Sequence, residues 1–152
     1  MIRSALLIVA LSGLLSGSAR AAEPSINKDF FIDGEGWQVV GTGYKFTEGP
    51  AADAAGNVYF TDIPNNRIHK VDLEGKVTVF AEDTGATNGL MFGPDGRLYG
   101  CQNGRKRIVA YTLDGKVETL AENVESNDLV VNAAGDLYFT DPGNKQVWFL
   151  PK

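Results

Sequence analysis

Three oxygen-bearing side chains recur at one position of a repeating sequence: Glu48 in FTEGP, Asn88 in TNGL and Asn127 in SNDLVV. One carboxylate and two amide carbonyls form a donor set for a hard divalent cation, because calcium takes about six to eight oxygen ligands of these kinds. A second equivalent set, Asp62, Gln102 and Asp141, lies further along each repeat, and Asp128 follows Asn127. The alternative reading is structural: the carboxylate caps a strand and the amides satisfy turn backbone. Which one holds depends on the elements that carry these residues.

The repeat is found by laying the chain over itself. TEGPAADAAGNVYFTDIPNNRIHKVDLEGKVTVFAED matches TNGLMFGPDGRLYGCQNGRKRIVAYTLDGKVETLAEN without a gap at an offset of 40, and a third copy starts at Ser126 with an offset of 39. The repeats run 47–86, 87–125 and 126–152. Each holds short β-branched and aromatic segments such as VYFT, RIHKV and VTVFA, punctuated by the turns AAGN, PDGR, AAGD, LEGK and LDGK. Four strands in about 40 residues form the blade of a β-propeller, an all-β ring of radially stacked sheets. Innermost strands line the channel, so Glu48, Asn88 and Asn127 should converge on its axis at one end. The second strand returns to the same end, which would put Asp62, Gln102 and Asp141 at the channel mouth. Strand alternation points Asp128 away from the channel.

Closed propellers need about four to eight blades, and the chain supplies two and most of a third. We therefore expect an N-terminal part of a longer ring. WQVVGTG, residues 37–43, reads as an extra strand outside these blades. If the frame ended at Lys152, open strand edges would favour self-association or aggregation.

Ahead of the repeats, Arg3, an apolar run from Ala5 to about Leu15, and Ala19-Arg20-Ala21 have the pattern of a signal peptide cleaved after residue 21, followed by a lead-in over 22–36. That implies a periplasmic or secreted protein, with no membrane span after cleavage. Cleavage removes Arg3 and Arg20 from 14 basic residues and none from 19 acidic ones, leaving 12 against 19, a formal charge of −7. Such a surface argues against nucleic acid or anionic membrane as partner and is compatible with cation binding. Cys101, the single cysteine, reads as a small buried hydrophobe, and His69, the single histidine, as an ordinary strand residue. Neither a Gly-x-Ser-x-Gly elbow nor Cys-x-x-Cys nor His-Glu-x-x-His occurs.

The motifs FTEGP, VYFTDIPNNRI, TNGL, SNDLVV and LYFTDP, in this order, resemble the senescence marker protein, gluconolactonase and luciferin-regenerating enzyme family. The likeness runs from about Trp37 to Lys152. It implies a six-bladed calcium-dependent propeller that hydrolyses small, sugar-like lactones, with Glu48 and Asn127 as metal ligands. It leaves Asn88 in the channel wall, and Asp128, Asp62 and Asp141 beside metal or substrate. The general base is expected outside these blades. Glu125 stands where some sugar-lactonase relatives carry arginine, a departure from the pattern of enzymes that act on gluconolactone. Two rivals stay open: a non-catalytic binding propeller, and a phosphotriesterase- or lyase-type enzyme using the same channel.

Overall fold

The computed structural model describes Ile32 and residues 34–152; the proposed signal peptide and most of the lead-in lie outside the described residues. The chain divides into a unit ending at Gln38 and a unit from Val39 to Lys152, and every strand belongs to the second. Among the described residues no helix is long and apolar enough to cross a membrane.

Among the described residues, eleven strands form three antiparallel sheets. Blade 1 holds β1 (Thr47–Ala52), β2 (Val58–Asp62), β3 (Arg67–Val71) and β4 (Val77–Glu82). Blade 2 holds β5 (Thr87–Phe92), β6 (Leu98–Gln102), β7 (Arg107–Tyr111) and β8 (Val117–Glu122). Blade 3 holds β9 (Leu129–Val131), β10 (Leu137–Asp141) and β11 (Gln146–Leu150). Within each sheet the strands follow chain order, a meander in which neighbours are joined by tight turns.

The turns arise where the sequence placed them, and in AAGN, LEGK and AAGD the side chain just before the turn sets its shape. Asp53 Oδ1 accepts from the backbone N–H groups of Ala55 and Asn57, at 3.0 and 2.9 Å, and Asp72 and Asn132 do the same in their turns. Gly56 and Gly135 then take φ of 90° and 92°, which a side chain would resist. The second and third strands of each blade are joined through Asn66, Lys106 and Lys145, all left-handed at φ 53°, 53° and 57°. Those three positions are equivalent in the repeat.

Alternation along the strands divides each blade into two apolar faces. Tyr59 and Ile68 of blade 1 pack against Leu90, Leu98, Val109 and Tyr111 of blade 2. The other face of blade 2, with Tyr99, Cys101, Ile108 and Ala110, packs against Val131, Leu137 and Phe139 of blade 3. Cys101 is fully buried, and burial pushes its thiol pKa up to about 12, so it serves as the small hydrophobe expected of it.

Two expectations are corrected. Residues 39–43 join no strand, and Val39 and Val40 are exposed, because an extended segment needs a neighbouring ladder to become a strand. The innermost strand of blade 3 also begins at Leu129, two residues after Asn127, whereas Glu48 and Asn88 lie within β1 and β5.

Leu98 has no exposed surface and belongs to the seam between blades 1 and 2. Leu98→Ala should therefore cost about 2–5 kcal/mol. Leu113→Ala, in an exposed turn, should stay within about 0.5 kcal/mol of the parent. Urea unfolding of both variants measures the difference.

Candidate metal site

The innermost strands are brought together by glycines. Gly49 follows Glu48, is buried at φ 52°, and lies so close to blade 2 that a Cβ there would overlap the Asn88 carbonyl oxygen. Gly89 follows Asn88 and repeats the arrangement: a Cβ would lie 2.9 Å from the Asn127 carbonyl oxygen and 2.8 Å from Asp128 Cα. Its N–H donates to the Asn127 carbonyl at 2.9 Å. Backbone contact at these two points sets Glu48, Asn88 and Asn127 in a row across three blades. β1 and β5 both carry a register irregularity beside their glycines, between Glu48 and Ala51 and between Thr87 and Leu90.

The row is tied from below by a threonine that motif reading did not single out. Thr61 Oγ1 lies 3.0 Å from the Glu48 carbonyl and 3.2 Å from the Asn88 carbonyl, so one buried hydroxyl links two blades. Its equivalent, Thr140, accepts from the Asp128 N–H at 3.1 Å. The recurrence of Phe-Thr-Asp at 60–62 and 139–141, against Gly-Cys-Gln at 100–102, was the sequence signal for it.

The donor side chains are little used by the protein itself. The Glu48 carboxylate is exposed and accepts one long bond, 3.4 Å, from the Gly49 N–H. No protein hydrogen bond to the side-chain amides of Asn88 or Asn127 is formed among the described residues, and both are half-buried. Unengaged oxygens in a row fit a hard cation as donors. No group of three or more His, Cys, Asp or Glu side chains that could hold a metal occurs among the described residues, so these blades offer one carboxylate and two amides. Asp128 is exposed, with Oδ1 2.5 Å from the point a Gly89 Cβ would occupy, so it stands against the row.

Asp62, Gln102 and Asp141 lie at the same end but are buried and fully engaged. Asp62 accepts from the Lys45 and Phe46 N–H groups at 3.1 and 3.2 Å and from Asn65 Nδ2 at 2.7 Å. Burial works against its charge, but the bonds from Asn65, Phe46 and Lys45 outweigh it and hold the carboxyl below its usual pKa. Asp141 accepts from the Asn144 amide and backbone and from Trp148 Nε1, and the Asn144 bond is the main cause of its lowered pKa. Gln102 donates to the Tyr111 hydroxyl at 3.0 Å and accepts from Arg107 at 2.9 Å. These side chains shape the chain around the site. Glu125, at its rim, pairs with Lys106 at 2.6 Å.

On the outer face of blade 1, His69 is stacked on Phe60 and edge-on to Tyr44, with centroids 5.1 and 5.0 Å away. Burial lowers its pKa, against the pull of Asp62, so the ring is neutral at pH 7. Beside it a groove of about 430 Å³ opens between Val40, Tyr44, Pro50, Val58, Phe60 and Val71, with Glu48 at its edge.

The model of the SMP-30/Gluconolactonase/LRE-like region matches residues 46–147. Among solved structures, a gluconolactonase from Xanthomonas campestris superposes with a TM-score of 0.66 at 26% identity, over 71% of this chain and 44% of that one. A calcium-binding regucalcin from Agrobacterium tumefaciens gives a TM-score of 0.56 at 19% identity, over 68% and 45%. A virginiamycin B lyase from Staphylococcus aureus gives 0.57 at 22%, over 70% and 41%. The last two likenesses concern fold alone. The chain spans under half the length of each of these structures, and no curated protein sequence matches it significantly.

Asp62→Asn should cost about 1–3 kcal/mol at pH 7 by weakening three hydrogen bonds to a buried acceptor. Because the folded pKa is lowered, the ionised group stabilises above its ordinary value of 3.8, and this is lost as pH falls below it. Urea midpoints of parent and variant should converge as pH drops from about 4 toward 2.

Proposed function

Because the chain belongs to the SMP-30/gluconolactonase/LRE-like family, we propose that its blades form part of an exported, calcium-dependent hydrolase of small lactones, with Glu48 and Asn127 as the metal ligands they supply. The observation that carries this reading is the row of unengaged oxygen donors held across three blades by Gly49 and Gly89. Export is supported by the signal-like segment over residues 1–21. A periplasmic or secreted setting follows from it.

Calcium bound there would polarise the lactone carbonyl and stabilise the oxyanion formed as water adds. Glu48 contributes the single negative charge of the row and a carboxylate free to turn toward the channel. Asn127 offers its carbonyl oxygen to the metal, while its amide N–H can donate to a hydroxyl of a sugar-like substrate. Asn88 lies between them and serves the wall of the same pocket. Asp128 stands close enough to Gly89 to orient Asn88 or a water. Asp62 and Asp141 act by fixing the strand ends from beneath. The base that takes the proton from water is assigned to a residue beyond these three blades.

Glu48→Gln keeps the size of the side chain and removes its charge. It should abolish the rise in melting temperature on adding calcium while leaving the melt in chelator within about 0.5 kcal/mol of the parent, as an exposed residue permits. In a protein containing the whole ring, the same substitution should abolish turnover of lactones assayed with calcium. An undiminished calcium-dependent shift in Glu48→Gln would remove the metal assignment.

A further inference from the structure

Three of the arginines among the described residues pair with carboxylates: Arg67 with Glu82 at 3.0 Å, Arg97 with Asp95 at 2.7 Å and Arg105 with Asp83 at 2.6 Å. Arg107 pairs with no carboxylate among the described residues. It is the counterpart of Arg67 one repeat on, and the strand register sets Glu122 opposite it as it sets Glu82 opposite Arg67. A partner is therefore at hand, yet the guanidinium turns to neutral groups. One terminal nitrogen donates to Gln102 Oε1 at 2.9 Å, and the other makes a long bond of 3.4 Å to Thr119 Oγ1. Nε is buried and meets no acceptor. Two of the five N–H donors of the group are used, which leaves three. Buried donors are ordinarily bonded, so this guanidinium has donors to spare.

The neutral partner is peculiar to blade 2. Position 102 corresponds to Asp62 in the first repeat and Asp141 in the third, and a carboxylate there would neutralise the guanidinium. Gln102, buried and held by the Tyr111 hydroxyl at 3.0 Å, supplies the acceptor without the charge. Arg107 lies in a groove of about 440 Å³ between the outer strands of blades 1 and 2. Gln102 and Tyr111 form its floor, and Phe80 and Val117 give it apolar walls. The two acids that line it are engaged, Glu82 with Arg67 and Asp83 with Arg105. One positive charge is thereby left uncompensated beside apolar surface.

We propose that this groove binds a small organic acid, a monocarboxylate whose charged end lies against Arg107 and whose apolar body lies along Phe80 and Val117. A planar carboxylate matches the fork of a guanidinium, and one negative charge balances the one positive charge of the groove. A phosphate dianion would bring a second negative charge, which Glu82 and Asp83 would repel. The volume suits a small molecule. Both walls belong to the seam that blades 1 and 2 already form, and neither calcium nor Glu48 takes part. The site stands independently of the lactonase reading.

Titration of the isotope-labelled full chain with hexanoate in metal-free buffer tests this, read by nuclear magnetic resonance at the Arg107 Nε–H and the Gln102 side-chain amide. Both signals should shift saturably with a Kd at or below about 10 mM. Hexanol, with the same body and no charge, should bind at least about tenfold more weakly. Thr119→Glu, at an exposed position beside Arg107, seats a carboxylate of the protein's own there and should weaken hexanoate by at least about tenfold with the fold retained. Arg107→Gln should do the same, and Glu48→Gln should bind hexanoate as the parent does. No saturable shift at Arg107 in the parent would overturn the site. So would binding that Thr119→Glu and Arg107→Gln both leave unchanged. Inorganic phosphate that binds at Arg107 more tightly than hexanoate would overturn the organic-acid assignment. Binding lost in Glu48→Gln but kept in Arg107→Gln would move the acid to the metal row and overturn the proposal.

Discussion

The arrangement depends on the backbone contact between innermost strands at Gly49 and Gly89. Sheets packed face to face are held apart by their side chains, and only a residue without Cβ lets carbonyl and Cα of adjacent blades touch. That contact converts three positions, separated by about 40 residues each in the sequence, into a row of donors. Seam packing of Tyr59, Leu98, Tyr111, Phe139 and their neighbours supplies the hydrophobic stabilisation. The two glycines set how closely the inner strands approach.

Carboxylates at the same end of the blades are divided by what their oxygens touch. Asp62 and Asp141 are buried, satisfied by backbone and Asn amides, and hold strand ends in place. Glu48 is exposed, weakly bonded and available. A buried charge must be satisfied by the protein, so it is poorly placed to give up its partners for a ligand; an exposed one has that freedom. The threonine hydroxyls beneath the row, Thr61 and Thr140, extend the same division by fixing backbone groups rather than ligands.

Much of this was legible in the sequence because the repeat is nearly gapless. The turns at AAGN, LEGK, PDGR, LDGK and AAGD, the meandering blades and the equivalence of Glu48, Asn88 and Asn127 all follow from period and turn chemistry, which are local properties. What was not legible depends on neighbours. Residues 39–43 have strand composition but no ladder to join, and β9 starts later than its counterparts. Asp62 and Asp141 read as channel-mouth residues beside metal or substrate, and only their surroundings reveal that burial and hydrogen bonds occupy them. His69 lies in an ordinary strand position, as its isolation suggested, yet its place among Tyr44 and Phe60 came from Tyr44 folding back from outside the repeat.

The central claim is that inner-strand contact, rather than blade stability in general, assembles the row of oxygen donors. Calcium affinity by titration calorimetry in Gly89→Ala tests it most directly, with Leu98→Ala as a comparably destabilised control. The account predicts that Gly89→Ala, folded but with Asn127 and Asp128 pushed off blade 2, loses at least about tenfold in affinity, about 1.4 kcal/mol, while Leu98→Ala retains it. Equal affinity in Gly89→Ala and the parent would contradict the account.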